Sequence, residues 1–510
     1  MPFLEEQDLE AMPTIVEYYK GKTVFITGGS GFMGKVLVEK LLYSCSDLDR
    51  IYLLLRNKKG VKPEDRLDAL YKSHCFDRLR NERPDLFESK VFFIAGDASE
   101  PGLGISEEDR ALIINRTNII FHAAASVRFD DPLKVAVKLN LRGTIEILEL
   151  AKEIRNLESF VHISTSYANT NRDPIEEIMY PPLADWRDTI KICDELDDRQ
   201  LEPLTAKYLG DMPNTYGFTK QLAENVVYEY KGKLPIVIIR PSIVISSMKE
   251  PIPGWIENFN GPVGIIVACG KGILRSIYSK PDLISDYIPV DVAIKCIITA
   301  SWIRGIKKLE STDDIPIYNS CAGNLNNITV EELLVVGKQV VIDFPMDTTI
   351  WSFGATITSS LLYYNIQVLL FHLLPAIFID ILLWLLGKKT MLVKVQRRIY
   401  VANLALRYYT IQQWKFTNTN FVQLRSKLKE ADKEAFSNDF EDLDRFEFFR
   451  VCCETGRKYL LRESEDNMQK NKKHYRRLEF IDKVIKCAFY GVIFWWIVNT
   501  AFVKNLFASV

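Results

Sequence analysis

The chain lacks a charge of one sign. Its 65 basic and 66 acidic side chains leave a formal charge of -1 over 510 residues, so no broad basic field invites a nucleic acid. It also lacks metal-ligand spacing. The nine cysteines, at 45, 75, 193, 269, 296, 321, 452, 453 and 487, form no Cys-x-x-Cys pair, so no metal is expected and they read as reduced core thiols. Residues 1–10 are acidic, with no basic stretch leading into an apolar run, so no secretory signal is expected and a cytosolic or other reducing compartment is implied. The final Ala508, Ser509 and Val510 are not the Ser-Lys-Leu peroxisomal address.

What the chain does have is size and apolar content. With 47% hydrophobic side chains, two or three units are expected, with apolar surface left over. Val24, Phe25 and Ile26 read as a short buried strand, and Lys35–Tyr43 as the helix packed behind it. Between them runs Thr27, Gly28, Gly29, Ser30, Gly31, Phe32, Met33, Gly34. Gly28 suits a tight turn, Gly31 lets backbone approach a pyrophosphate, and Gly34 lets the helix lie close to the sheet. Phosphates would then meet free N–H groups at a helix N-terminus, a geometry that suits a dinucleotide. Further strands are expected at Ile51–Leu55, Val91–Ala95, Ile119–His122, Phe160–Ile163 and Pro235–Ile239. Alternating with helical stretches, they predict an α/β fold with a Rossmann-like, doubly wound parallel sheet. Insertions at 57–90 and 171–213 interrupt it, and 251–291, rich in glycine, proline and aromatics, reads as loops and short helices.

A proton-transfer pair follows in Tyr216 and Lys220. A free tyrosine, with a pKa of about 10, is a poor proton shuttle at neutral pH. An ammonium one helical turn on makes the phenolate more accessible and also reaches toward a nicotinamide ribose. Ser164, Thr165 and Ser166 close the preceding strand candidate and offer three hydroxyls to a substrate carbonyl. Arg56 ends the second strand, with Lys58 and Lys59 beyond. An acidic residue there would suit the 2′-hydroxyl of NAD, whereas basic ones suit a 2′-phosphate, so NADPH is expected.

The spacing Gly28, Gly31, Gly34 together with Tyr-x-x-x-Lys resembles the extended short-chain dehydrogenases/reductases. That resemblance selects Thr165 as the hydroxyl on the substrate carbonyl. It implies that Asp97 meets adenine, that Ala123 and Ala124 leave room beside the cofactor, and that Asn140 steadies a helix. It brings the backbone at Pro241 to the nicotinamide carboxamide, and Thr27, Ser30, Phe32 and Met33 line the glycine loop.

The composition changes from about Trp351. Leu361–Leu386 is apolar but interrupted by Asn365, Gln367, His372, Pro375 and Asp380, so a hairpin or interfacial segment competes with a simple span. Cys487–Val503 is a second apolar run, preceded by Lys470, Lys472, Lys473, Arg476, Arg477, Lys483 and Lys486 and followed by Lys504. It is expected to anchor the chain in a membrane with everything before it cytosolic. The expected division is a reductase domain over 15–345, a helical domain over 346–482 and a membrane helix over 484–504.

Along nearly its whole length the chain resembles the eukaryotic fatty acyl-CoA reductases. The signatures are residues 21–42, 161–169 and 179–182, Pro253-Gly-Trp255, Asn260-Gly-Pro262, Gly272 and the stretch 456–461. This implies reduction of a long-chain acyl-CoA to a primary alcohol with NADPH, through a hemithioacetal and an aldehyde, by catalytic Thr165, Tyr216 and Lys220. The implied partners are the acyl-CoA and a lipid membrane. Two other readings are a membrane-associated sterol or hydroxy-lipid dehydrogenase, whose likeness would fade beyond the nucleotide domain, and a non-enzymatic lipid-surface scaffold.

Overall fold

The fold is taken from a computed structural model that describes residues 12–57, 60–310 and 314–499. The chain forms two units, each assembled from three stretches. One comprises Met1–Glu257, Ile284–Ile328 and Ala405–Asp444, and the other Asn258–Leu283, Thr329–Leu404 and Arg445–Val510.

The strands, in chain order, are β1 Thr23–Thr27, β2 Arg50–Leu55, β3 Val91–Ala95, β4 Ile119–His122, β5 Ser159–Ile163, β6 Ile236–Pro241, β7 Ile243–Ile245, β8 Ser276–Tyr278, β9 Tyr287–Pro289, β10 Ile317–Ser320 and β11 Thr356–Thr358. The first unit holds a seven-stranded sheet in the order β10-β6-β5-β4-β1-β2-β3, and every pairing is parallel. The strand order reverses beside β1. In open α/β sheets the ligand crevice lies at such a reversal, outside the carboxyl ends of the strands. β1, β4, β5 and β6 are buried throughout, as the apolar runs require of a sheet covered on both faces.

The six expected strands are present. β10, with Asn319 and Ser320 among its four residues, carries too little apolar signal to have been read from sequence. The region 251–291 contains the expected loops and also a ten-residue helix, Gly261–Gly270, and the short strands β8 and β9. The insertion at 171–213 holds the helices Trp186–Glu195 and Asp198–Tyr208.

The division expected from the linear sequence differs from the contacts. Residues 258–283 and 329–345, read as reductase, belong to the second unit, and 405–444, read as helical domain, belong to the first. The reason is burial. Phe421, Leu424, Leu428, Phe436 and Phe440 enter the same core as the helix Val290–Ile306, and Asp432 accepts a hydrogen bond from the Ile15 N–H at 3.0 Å.

In the second unit, Leu361–Leu385 is one long apolar helix whose outer face is exposed. Its buried residues are Tyr364, Gln367, His372, Ala376 and Asp380. The five-residue step from 367 to 372 falls on a π-turn, Leu369–Leu373. Pro375, which cannot donate to the helix ladder, follows directly. The inserted residue resets the helical register and returns His372, Ala376 and Asp380 to the packed face. The polar groups of that face are bonded within the unit: Gln367 accepts from Ser276 at 2.5 Å, His372 from the Arg275 N–H at 3.0 Å, and Asp380 from the N–H groups of Met391, Leu392 and Val393 at 3.0–3.1 Å. The helix Met468–Asn499 is exposed along Phe480–Val498 except at Asp482, which is buried and accepts from Trp351 Nε1 at 2.6 Å. The rest of the expected 487–503 run lies outside the described residues, as do Lys58, Lys59 and Lys504.

Candidate active site

Gly28 takes φ +78°, and a side chain there would meet the Ala123 carbonyl carbon at 2.6 Å, so the turn after β1 admits only glycine. A Cβ on Gly34 would lie 2.3 Å from the Gly28 oxygen. The helix Phe32–Ser44 starts from Gly31 with no side-chain cap, leaving its first N–H groups for a ligand. Thr27 fixes the start of the loop. The Thr144 hydroxyl donates to the Asn140 carbonyl (2.7 Å) and accepts from His122 Nε2 (3.1 Å), so Nδ1 accepts from the Thr27 hydroxyl (2.8 Å). Burial first, then the nearby Lys220 charge, pushes His122 down to about 3, so its ring is neutral. Ala124 donates its N–H to Thr27 Oγ1 at 3.2 Å. Phe32 stacks on Trp255 at 5.3 Å, and Met33 packs against the core.

Asn214 caps the helix Thr215–Tyr228 by accepting from the Gly217 N–H at 3.0 Å. Tyr216 stands in its first turn and Lys220 one turn on. The Thr165 side chain lies at the Tyr216 hydroxyl and acts to lower the phenol, but burial outweighs it, pushing the phenol up to about 12. The ring itself keeps part of its surface open. Lys220 is buried and donates to the Ile163 carbonyl at the end of β5 at 2.7 Å. Burial brings its ammonium down to about 8, opposed by the Glu224 carboxylate. Glu224 is itself committed to Arg240, which binds it through two nitrogens at 2.8 and 2.9 Å in full burial.

Of the three candidate hydroxyls, only Thr165 meets Tyr216. It also accepts from the Tyr167 N–H and donates to the Pro241 carbonyl at 3.4 Å, which puts Pro241 beside the site. Ser166 is spent on the Arg240 carbonyl at 2.7 Å. Asn140 lies in a π-helical turn, Val137–Arg142, where it accepts from the Ser126 N–H and donates to the Ser126 carbonyl and the Thr219 hydroxyl. It thereby ties the loop after β4 to the helix carrying Tyr216.

At the far end of the glycine loop, Arg56 pairs with Asp97 at 3.5 Å. Burial would raise the Asp97 carboxyl, but the Ser99 N–H and hydroxyl together with Arg56 hold it below the usual carboxylate range. Sequence reasoning missed Arg66, whose guanidinium donates to the Arg56 carbonyl at 2.6 Å and to the Ser30 hydroxyl at 3.0 Å. It comes from the helix Pro63–Tyr71 inside the first insertion, and no motif marks it. Phe129 and Tyr409 were also missed. The Phe129 ring stands beside Tyr216 at 5.7 Å, and the Tyr409 ring packs on Phe129 at 5.2 Å.

The glycine cradle, the uncapped helix and a three-donor ammonium whose hydrogen-bond acceptor is one backbone carbonyl fit a nicotinamide dinucleotide. Two family models described as "Male sterility protein" match the chain, an NAD-binding one over residues 26–297 and a second over 371–463. The chain is 39% identical to fatty acyl-CoA reductase 1 of Mus musculus over 92% of its own length and 90% of that protein. It is 37% identical to fatty acyl-CoA reductase wat of Drosophila melanogaster over 94% and 92%. Among solved structures, the terminal R domain from the myxalamid PKS-NRPS pathway shares the fold, with a TM-score of 0.58 at 19% identity over 86% of this chain and 90% of that one. The reductase domain of a Mycobacterium tuberculosis nonribosomal peptide synthetase does so equally, at 0.58 and 18% over 90% and 96%. The likeness runs far past the nucleotide-binding half, where that of a sterol dehydrogenase would stop. A parallel-sheet reductase fold, a nicotinamide site and this end-to-end similarity make the chain a member of the fatty acyl-CoA reductase family.

Proposed function

We propose that the chain reduces long-chain fatty acyl-CoA to the primary alcohol, with NADPH as hydride source, at the cytosolic face of a membrane. One cluster carries the reading: the Tyr216 hydroxyl against Thr165, with Lys220 buried one turn on and bonded to Ile163. When bound, NADPH supplies a hydride in each of two rounds. Thr165 and Tyr216 hold the thioester oxygen, and Tyr216 gives it a proton as negative charge develops there. The resulting hemithioacetal returns that proton to Tyr216 as its C–S bond breaks and CoA leaves as thiolate. The aldehyde that remains takes a second hydride and a second Tyr216 proton to give the alcohol, and solvent restores the tyrosine. Lys220, as a cation, stabilises the phenolate between these events. Arg56 and Arg66 support NADPH over NADH, since two guanidiniums at one end of the glycine loop suit a 2′-phosphate.

The membrane reading rests on the helix Leu361–Leu385. Its polar side chains are consumed by its own unit while Leu362, Phe378 and Trp384 are 73%, 63% and 70% exposed. A full crossing would need its packed partners to cross with it, so the helix lies in the plane of one leaflet, with Lys388 and Lys389 at the headgroups. The anchor remains 484–504.

Incubation of membranes holding the protein with hexadecanoyl-CoA and NADPH tests the activity. Hexadecanol and free CoA should form one for one, with two NADPH oxidised per alcohol. NADPH oxidation that does not depend on the acyl-CoA would overturn the reading.

A further inference from the structure

Between the two reductions the substrate loses its handle. CoA departs with its nucleotide and phosphates, and what stays is an alkyl chain ending in a carbonyl. Hydrogen bonds from Tyr216 and Thr165 hold that oxygen no better than water would, so retention falls to whatever touches the first carbons of the chain.

Around Tyr216 those surfaces are aromatic. Phe129 lies with its ring tilted 36° to Tyr216 and 33° to Tyr409, at 5.7 and 5.2 Å. Tyr167, two residues past Thr165, meets Tyr409 edge-on at 5.4 Å. Tyr409 is held at its far end too, because its hydroxyl accepts from Asn214 at 2.9 Å, the residue that caps the helix carrying Tyr216. Phe129, Tyr216 and Tyr409 each keep part of their surface open. An apolar ring kept open and fixed at both ends is a preorganised contact for an alkyl chain.

We propose that Phe129 and Tyr409 form an aromatic clamp on the carbons next to the reacting carbonyl, and that this clamp keeps the aldehyde in place until the second hydride arrives. The proposal rests on the alcohol-forming reading of the same site. Tyr409 is a positioning residue, set by Asn214. The clamp determines whether the enzyme delivers four electrons or stops after two, so its removal changes the product rather than only the rate.

The test uses the full chain in membranes with hexadecanoyl-CoA, NADPH and semicarbazide to trap free aldehyde. The readout is the ratio of trapped aldehyde to alcohol. Phe129→Ala and Tyr409→Ala should each raise that ratio about tenfold, the size of a lost aromatic contact acting on a dissociation rate. CoA release should fall less than the alcohol does. Tyr409→Phe keeps the ring, so its ratio should stay near that of the unaltered protein while its turnover drops. If an alanine variant fails to fold, judged by NADPH binding, Phe129→Leu and Tyr409→Leu replace it, with a smaller rise in the same direction. An unchanged ratio in the folded variants, with alcohol still the product, overturns the clamp. Absence of any reduction by the unaltered protein overturns instead the reading on which it rests.

Discussion

Two apolar helices of this chain are turned opposite ways. Val290–Ile306 is buried along almost its whole length, and even its Asp291, Lys295 and Arg304 are inside. Asp291 accepts from the N–H groups of Met248, Lys249 and Glu250, and Lys295 pairs with Glu250 at 3.0 Å. Leu361–Leu385 hides Gln367, His372 and Asp380 and shows its leucines and aromatics. Both helices pair buried charged groups inside the protein, Asp291 and Lys295 in the first and Asp380 in the second. They differ in what surrounds the apolar ones, protein in one case and, by the proposal above, lipid in the other. A sequence reports how apolar a helix is; only its buried face reports which solvent it was made for.

The largest test of the interior side is at the site that the buried helix's unit supports. Tyr216→Phe should lower alcohol formation about 10²- to 10⁴-fold, the usual worth of a general acid, while NADPH binding followed by fluorescence stays near normal. Equal activity of the two proteins would remove Tyr216 from the chemistry. One matched pair of substitutions separates the two helices. Ile297→Asp puts an unpaired charge in the core and should cost about 3–5 kcal/mol in denaturant melts. Phe378→Asp should leave the melt almost unmoved yet, in a chain cut before residue 484 so that the anchor no longer holds it, reduce retention on phosphatidylcholine–phosphatidylserine vesicles about tenfold. A large stability loss for Phe378→Asp with no change in vesicle retention would mean that the exposed face is covered by protein.

Smaller effects sharpen the picture at the cofactor end. Arg66→Ala should weaken NADPH about tenfold and NADH little, since one charge-assisted partner of a 2′-phosphate is lost; equal losses in titrations with both would reject it. The mildest expectation is a pH effect. Lys220 is depressed to about 8, so its ammonium is complete well below that pH and lost as the pH rises through it. With Tyr216 protonated throughout, kcat/KM for the acyl-CoA should decline on the alkaline side of about 8, falling a few-fold by one unit above. A flat profile to pH 9.5 would separate the lysine charge from turnover.

The readable parts of this molecule are those where the chain speaks locally. β1 and the glycine loop announce themselves because a buried strand must be apolar and a crowded turn must be glycine. Tyr216 and Lys220 are readable because one helix sets their spacing. Arg66 was not readable, since its meaning depends on an insertion folding back over Ser30. Tyr409 was hidden in a stretch whose aromatics look the same whether they serve a separate helical domain or return to the first sheet's unit. The long apolar helix gave its interruptions plainly, but their arrangement on one face depends on the π-turn, and a one-residue slip of register leaves no mark in composition.

The Asp432 bond to Ile15 and the burial of Phe421 and Phe436 beside Val290–Ile306 bear on how this protein is made. Synthesis runs from the N-terminus at about 5–20 residues per second. The helix Ile15–Tyr19 gains its Asp432 partner, and the core helix the aromatic residues that cover it, only once residues 421–440 have been made. Until then the ribosome carries a nucleotide-binding sheet with an open apolar seam, and the long apolar helix Leu361–Leu385 emerges before that seam can close. A chain stopped before Phe421 would leave the face of Val290–Ile306 that these aromatics cover open to water, and it should aggregate where the full chain does not.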